Sequence, residues 1–266
     1  MCARVSLNNL QPCQQRILTN QVELVACRIA KARASVFIAA AVSRPTGELN
    51  AMNNHQELAQ SWLKVGSICG LLSVAVYLLA AFAPLPDKLT LACALAFGPL
   101  LAIGAIGLYY CLAAYRNCPS LQISVIFAIG GGITVLIMLA TQQSIFELLR
   151  ATIEKAAQPD VKEAYTKIRD GLNSVHLGMD VAWDVLISVA GIGFGFNMLK
   201  HPAFGKVIGG LGMLLGTLLL VYNLRYFPVP PVSANSIDWG PFVALWFVAS
   251  FVMLLRAKSW LKKQTS

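Results

Sequence analysis

The sequence predicts an all-α fold: a polytopic transmembrane helical bundle of about six spans, with an amphipathic helical hairpin outside the bilayer. Of the 266 residues, 57% are hydrophobic and only 12% are charged, whereas a soluble domain carries about 25% charged residues. The apolar residues form separate blocks, each long enough to cross a hydrocarbon core of about 30 Å as a helix. Lys and Arg lie mainly at the chain ends and between these blocks, where they anchor spans at the headgroups.

Prolines, aromatic residues and an acidic cap mark where the spans begin and end. Trp62 precedes the first span, and Pro84 and Pro86 stop it because proline cannot continue a helix. Asp238 and Trp239 open the last span as a cap followed by an interfacial aromatic residue. The spans are expected at about residues 63–83, 89–114, 121–141, 180–199, 205–223 and 239–256.

The first 51 residues differ in composition from the membrane domain expected over residues 52–266. They hold six Lys or Arg against two Glu, and their apolar run SVFIAAAV (35–42) is too short to span a bilayer. They predict a poorly ordered basic extension without the layout of a signal peptide. The segment MNNHQELAQSWLK, from Met52, looks like a native amino terminus, so residues 1–51 are interpreted as translated from upstream of the real start. A genuine disordered tail and a transit segment are the alternatives.

Residues 142–175, between the third and fourth spans, predict the hairpin. In SIFELLRATIEKAA the apolar residues recur on one helical face. After Pro159, the gaps between apolar residues alternate between four and three, which is typical of a packing seam. The seam residues are Val161, Tyr165, Ile168, Leu172 and Val175. We interpret the hairpin as an amphipathic connector at the bilayer surface; alternatively, residues 161–175 dock a partner protein or a second copy, or cover a ligand.

The charge distribution predicts both the orientation and the class of partner. If both termini are cytoplasmic, Lys88 and Arg225 are the Lys and Arg residues on the outer side besides those of the hairpin, where acidic and basic residues balance. Cytoplasmic termini are therefore expected, and the lipid bilayer is the expected partner. No basic stripe interleaved with aromatic residues indicates nucleic-acid binding, despite the net charge of +9. The seven cysteines form no CxxC pair, and we expect no metal and no cofactor.

Two carboxylates lie in the first turns of the fourth span, within HLGMDVAWDVLISVAGIGFGFNMLK (176–200). His176, Asp180 and Asp184 are four residues apart and form one stripe along a helix. The helix from Val181 to Met198 would be about 27 Å long, which nearly crosses the hydrocarbon without either aspartate. Asp180 can therefore lie at the interface, whereas Asp184 lies about one turn deeper.

Three interpretations of this stripe remain open. Both aspartates could belong to a wet outer mouth, where one caps or pairs with another span. Asp184 could instead face the bundle interior as a proton or cation site, because a carboxylate in hydrocarbon demands a partner. The third interpretation makes the stripe a set of metal ligands in an intramembrane hydrolase. It is disfavoured because His55 and His201 are the only other histidines and no catalytic motif is present.

Glycine spacing predicts how the fourth and fifth spans pack. Gly191 and Gly195, then Gly212 and Gly216, follow the GxxxG pattern that lets membrane helices approach closely. The short turn KHPAFGK between the two spans indicates a tight helical pair. Asn197 and Asn223, near opposite ends of these spans, are interpreted as interhelical hydrogen-bonding groups.

The loop before the last span, RYFPVPPVSANSIDWGPF (225–242), is rich in proline and is expected to be stiff and extended. Its prolines and Asp238 could form a rim over a pocket that includes Asp184. The run NLRYFPVPPVSANSIDWGPFVALWFVASFVMLLRA resembles the carboxy-terminal part of a bacterial family of uncharacterised multi-pass membrane proteins. The matching residues are Asn223, Phe227, Pro228, Pro230, Pro231, Asp238, Gly240 and Pro241. The resemblance implies a bacterial inner-membrane protein of about six spans, over roughly residues 60–258, and implies no activity.

The sequence therefore predicts a non-enzymatic membrane protein that binds, senses or passes a small solute or cation, with Asp184 as its polar centre. The alternative is a structural or assembly protein whose external hairpin (142–175) docks a partner, and an intramembrane hydrolase is a distant third. A buried Asp184 beside a cavity would favour the first function. An apolar seam exposed on residues 161–175 would favour the second, and histidines converging on the aspartates would favour the third.

Overall fold

The computed structural model describes residues 46–228 and 231–263, and within these ranges the chain forms long α-helices and no strand. The helices are α1 (Thr46–Phe82), α2 (Asp87–Tyr115), α3 (Pro119–Lys155), α4 (Pro159–Met198), α5 (Gly205–Tyr226) and α6 (Gly240–Lys263). All six contain stretches long and apolar enough to cross a membrane. The predicted all-α bundle of six spans is confirmed, and the chain is a multi-pass membrane protein.

The hairpin between the third and fourth spans is built from the spans themselves. α3 has 37 residues and α4 has 40, and each continues without a break from the membrane span into the hairpin. A helix of 40 residues is about 60 Å long, twice the thickness of the hydrocarbon core, so its end projects from the bilayer. Pro159 occupies the first turn of α4, where a proline has no hydrogen bond to lose. The apolar seam of residues 161–175 was predicted to lie on a helix that feeds into span four, and α4 confirms this; the continuation of α3 through residues 142–155 was not predicted.

The helices pack in chain order, α2 against α3, α3 against α4 and α4 against α5, while α6 packs against α5 and α2. The turns alternate between two ends of the bundle. At one end, Trp62 of α1 stacks on Tyr110 of α2, and Trp260 of α6 contacts Tyr115. We call this end the basic face, because it carries Arg116, Lys200, Lys206, Arg256 and Lys258. The opposite end carries the α3–α4 hairpin and is called the hairpin face.

Glycines set the closest helix contacts in the bundle. A Cβ atom added to Gly66 of α1 would lie 2.5 Å from the Cα atom of Gly107 of α2, and one added to Gly104 would lie 2.8 Å from the Cα atom of Gly70. Gly132 of α3 approaches the α2 backbone in the same way, since its added Cβ would lie 2.6 Å from a carbonyl oxygen. At these points the backbones touch directly, which gives dispersion contact where lipid provides no hydrophobic drive.

One part of the proline-rich loop differs from the extended loop expected from the sequence. Residues 231–234 form a short 3₁₀ helix that packs against α5, so this part of the loop is not extended. Residues 1–45 lie outside the described residues, so the interpretation of the amino-terminal extension stays a prediction.

Candidate functional site

Asp184 lies inside the bundle and is only 6% exposed. The fully buried side chain of Asn223 in α5 donates a hydrogen bond from its Nδ2 atom to Asp184 Oδ2, at 2.9 Å. The same Nδ2 atom donates to the carbonyl oxygen of Leu219 at 3.0 Å. Both N–H bonds of the amide are therefore used, and they hold the carboxylate of α4 against α5. Among the side chains that the structure describes, no Lys, Arg or His forms an ion pair with Asp184.

A small cavity adjoins this carboxylate, and its walls are otherwise almost entirely apolar. Its volume is about 30 Å³, which accommodates one ion or one to two water molecules. Phe97, Trp183 and Phe247 provide the aromatic part of the wall, and Leu219 lies beside the amide of Asn223. We call this space the inner cavity. Such walls raise the cost of a bare negative charge, because they offer no dipoles to replace its hydration.

The acceptor oxygen of Asn223 is a second unsatisfied group at this point. Asn223 Oδ1 is buried and has no hydrogen-bond partner among the described residues. Because Asn223 Nδ2 points to Asp184, the amide presents its oxygen at the same junction of α4 and α5. A buried acceptor without a donor costs about 1–3 kcal/mol. A proton bound to Asp184 would neutralise its carboxylate. A cation bound beside the Asp184–Asn223 pair would balance the charge of the carboxylate and could also be coordinated by the amide oxygen.

His176 and Asp180 lie nearer the hairpin face, in two larger cavities. A middle cavity of about 350 Å³ is lined by Asp180, Gln142 and His176 among others, and it shares Phe97 and Trp183 with the inner cavity. An outer cavity of about 550 Å³ lies between the projecting parts of α3 and α4 and shares Gln142 and His176 with the middle one. The stripe therefore follows three cavities in series, and only its deepest member is buried.

Orphaned polar atoms mark the same series of cavities. His176 Nε2, which borders the outer and middle cavities, and Trp183 Nε1, which borders the middle and inner ones, are buried without a hydrogen-bond partner among the described residues. Buried polar groups in proteins normally bond to another group or to water. Both atoms therefore indicate that the cavities suit polar occupants.

The metal-ligand interpretation receives no support from the described part of the chain. No group of three or more His, Cys, Asp or Glu residues there is close enough to hold a metal ion. His201 lies at the basic face, with its ring 4.5 Å from that of Trp260 and 5.2 Å from that of Phe204. The side chain of His55 lies outside the described residues.

The glycines predicted to pack helices lie at the α4–α5 and α5–α6 contacts. Cβ atoms added to Gly195 and Gly216 would lie 2.6 Å and 2.9 Å from carbonyl oxygens of the facing helix. Gly212 contacts the ring of Trp246 in α6, whereas Gly191 has only ordinary contacts at 3.8 Å or more. Gly209, which the sequence analysis did not single out, is the partner of Gly195.

The predicted rim residues lie apart from one another. Asp238 accepts a hydrogen bond from the backbone N–H of Gly240 at 2.7 Å and so caps the start of α6. Gly240 lines the inner cavity, whereas Pro228 is exposed and Pro231 is buried against α5. Pro230 lies outside the described residues. The loop reaches the site through the start of α6 and not through the described prolines.

Asn223 was predicted to be an interhelical hydrogen-bonding group, and its bond to Asp184 confirms this, although its partner was not named. The aromatic pair Phe97 and Trp183 was not considered. Trp183 directly precedes Asp184, and that adjacency was the available signal for an aromatic wall. No sequence pattern links position 223 to position 184, because the register of two antiparallel helices depends on their turn and their glycine contacts.

No protein-family model, curated protein sequence or solved structure matches this chain. The resemblance of the carboxy-terminal run to a bacterial membrane family, and with it a bacterial inner-membrane location, stays a prediction.

Proposed function

We propose that this multi-pass membrane protein binds a proton or a monovalent cation at Asp184, with Asn223 as the supporting ligand, and that it acts as a binding, sensing or conducting protein rather than as an enzyme. The observation that carries the proposal is a buried carboxylate that, within the described part of the chain, accepts one side-chain hydrogen bond, from a neutral amide. An ionised carboxylate left alone in a membrane costs at least about 2.5–3.5 kcal/mol. A bound positive charge removes that cost.

The size and walls of the inner cavity favour a small monovalent ligand. Divalent Mg²⁺ keeps several of its waters, and Ca²⁺ takes six to eight oxygen ligands. A cavity of about 30 Å³, in whose lining Asp184 is the one polar side chain apart from Trp183, offers neither the space nor the ligands for such ions. A proton or a partly dehydrated Na⁺ ion fits the volume and needs only one counter-charge.

The series of cavities supports access from the hairpin face. The outer and middle cavities are large enough for hydrated ions, and His176 and Asp180 are the titratable groups that border the middle cavity near its exposed end. Asp180 provides negative charge that attracts cations towards the membrane. Phe97 and Trp183 then separate the middle cavity from Asp184, with their ring centres 6.1 Å apart.

The test is cation and proton binding to purified protein, with Asp184→Asn and Asp160→Asn compared with the unaltered chain. Asp160 is an exposed aspartate in the first turn of α4 that lines none of the three cavities, and it serves as the matched control. We expect the unaltered chain to bind one Na⁺ ion, measured with ²²Na⁺, or one proton, measured by the infrared band of the carboxyl group. Asp184→Asn should abolish that signal, and Asp160→Asn should keep it.

Thermal melting provides a second measurement on the same variants. A ligand at 100 times its dissociation constant stabilises the folded state by about 2.7 kcal/mol. The melting temperature of the unaltered chain should therefore rise with Na⁺, or with acidity above about pH 6.5, where histidines do not yet titrate, and that of Asp184→Asn should lose this dependence. An Asp184 carboxylate that stays ionised across this range and binds no cation contradicts the proposal.

The exposed seam of the hairpin favours a second candidate function, a structural or assembly protein. Val161, Ile168 and Val175 are 39%, 51% and 59% exposed, and Leu172 is 36% exposed, although they form one apolar face of α4. An exposed row of large apolar residues outside the hydrocarbon is typical of an interaction surface. Cross-linking through Ile168→Cys in native membranes tests this function, and a chain that is never captured by itself or by another protein excludes it.

A further inference from the structure

A groove at the basic face has no role in the proposed cation site, which lies deeper in the bundle and towards the other end. It lies between the end of α2 and the end of α4 and has a volume of about 420 Å³. Its lining includes Leu112, Tyr115 and Arg116 from α2 and Phe196, Asn197 and Lys200 from α4. Both cationic side chains are exposed, and neither forms an ion pair with another residue that the structure describes.

The two walls of the groove repeat one arrangement. Leu112 and Arg116 are four residues apart on α2, and Phe196 and Lys200 are four residues apart about the end of α4. Residues at this spacing lie one above the other on a helix. Each wall therefore places an apolar side chain one turn deeper than a cation. Phe196 is 56% exposed, so its ring remains open to the hydrocarbon beside the groove.

The charge of the surroundings is positive. From residue 88 to 146 and from residue 185 to 237 the sequence contains no Asp or Glu, and it contains none after Asp238. Lys206, Arg256 and Lys258 carry further positive charge on the same face. Among the described side chains, Glu57 of α1 is the acidic group at this end of the bundle. The cations of the groove thus have no acidic neighbour along either helix.

We propose that this groove binds the phosphate headgroup of an anionic phospholipid, with Arg116 and Lys200 contacting the phosphate and Phe196 contacting the first part of an acyl chain. Arg suits phosphate because its fork of N–H donors matches two oxygens, and Lys adds a point charge. Basic pockets between membrane helices are a known mode of recognition of anionic headgroups. The apolar walls select a lipid over free phosphate, because inorganic phosphate gains nothing from Phe196.

The test is native mass spectrometry of the full-length protein released from detergent, titrated with phosphatidylglycerol, phosphatidylcholine or inorganic phosphate. The double variant Arg116→Gln/Lys200→Gln is compared with Lys88→Gln/Arg225→Gln, which removes the same charge from the hairpin face. We expect one phosphatidylglycerol bound with at least about tenfold higher affinity than phosphatidylcholine. The groove variant should lose that preference, and the control variant should keep it.

Each other outcome overturns the proposal. Equal loss in both double variants shows only general attraction between the protein and anionic lipid. If inorganic phosphate at millimolar concentration displaces the lipid and binds with the same affinity as phosphatidylglycerol, the groove is a site for free phosphate. Unchanged lipid binding in the groove variant places the lipid elsewhere. The variants are checked by thermal melting, and Phe196→Ala, which leaves both charges in place, should weaken phosphatidylglycerol binding without creating affinity for phosphate. None of these outcomes depends on Asp184, so the two proposals fail separately.

Discussion

His201 is a buried histidine outside the membrane spans, only 1% exposed and surrounded by the rings of Tyr115, Phe204 and Trp260. The backbone N–H of Ala203 donates to its Nδ1 atom at 3.1 Å, so this nitrogen carries no proton. Burial lowers the pKa of His201 to about 4, against the effect of the Cys111 backbone carbonyl, which raises it. The side chain is thus neutral at physiological pH and acts as a packing group that closes the basic face.

This pKa makes the stability of the fold dependent on pH. In the unfolded chain a histidine has a pKa of about 6.5, so between that value and about 4 the unfolded chain binds more protons than the folded one. The stabilisation is fully present above pH 6.5 and is lost as the pH falls towards 4, with an upper limit of about 3 kcal/mol. We expect the melting temperature in detergent to fall more steeply over this range than that of His201→Phe. Parallel curves for the two proteins contradict the prediction.

The position of Asp184 along its span could be predicted from the sequence, but its hydrogen-bond partner could not. Its depth in the span is predicted by counting residues at 1.5 Å each from the end of the span, and its burial in the bundle is a separate finding. Its partner does not follow, because Asn223 lies 39 residues away on the next helix. The contact depends on how α4 and α5 slide past each other, which local sequence does not specify.

At the scale of helices, Gly209 and Gly210 are adjacent residues of α5 with opposite surroundings. A Cβ atom added to Gly209 would lie 2.7 Å from the carbonyl oxygen of Gly195 and 2.7 Å from the backbone nitrogen of Leu199, whereas one added to Gly210 would meet nothing within 4 Å. Backbone atoms cannot move aside as a flexible side chain can. The contact between α4 and α5 therefore tolerates no methyl group at position 209.

We expect Gly209→Ala to destabilise the bundle by about 1–3 kcal/mol, the usual cost of overpacking a close contact. Gly210→Ala should be neutral or stabilising, because alanine favours the helix by about 1 kcal/mol over glycine. Thermal melting or unfolding in mixed detergent and SDS measures the difference. Equal stability of the two variants would show that α4 and α5 separate without cost, and the close contact would then not hold the helices together.

The helices could be predicted from the sequence more fully than their contacts. The six spans follow from the length of the apolar blocks, and the prolines at 84, 86 and 159 lie at or beside the helix ends. The continuity of α3 beyond the bilayer was missed, because a polar sequence does not show whether a helix bends at the membrane surface. Gly66 and Gly70 of α1 also follow the GxxxG spacing, so their contact with α2 had a signal that the sequence analysis passed over.

At the scale of the whole molecule, the two faces of the bundle differ in charge and shape. The basic face carries cations with few acids, and the hairpin face carries the projecting α3 and α4 with charges of both signs. Positively charged loops stay in the cytoplasm during insertion. The chain should therefore insert with its basic face in the cytoplasm and its hairpin, with access to Asp184, outside.

Cys118 at the basic face and Ser174 in the hairpin allow this orientation to be measured. Hydrogen bonding with Ser120 lowers the pKa of the Cys118 thiol, which is partly exposed between α2 and α3, so the thiol should react readily with a maleimide. In a chain whose other cysteines are replaced by serine, a membrane-impermeant maleimide added to intact cells should leave Cys118 unlabelled until the cells are opened. In the same background without Cys118, Ser174→Cys should be labelled at once, because this position is exposed on α4. The opposite labelling pattern would place the hairpin in the cytoplasm, and the three cavities would then lead to Asp184 from the cytoplasm.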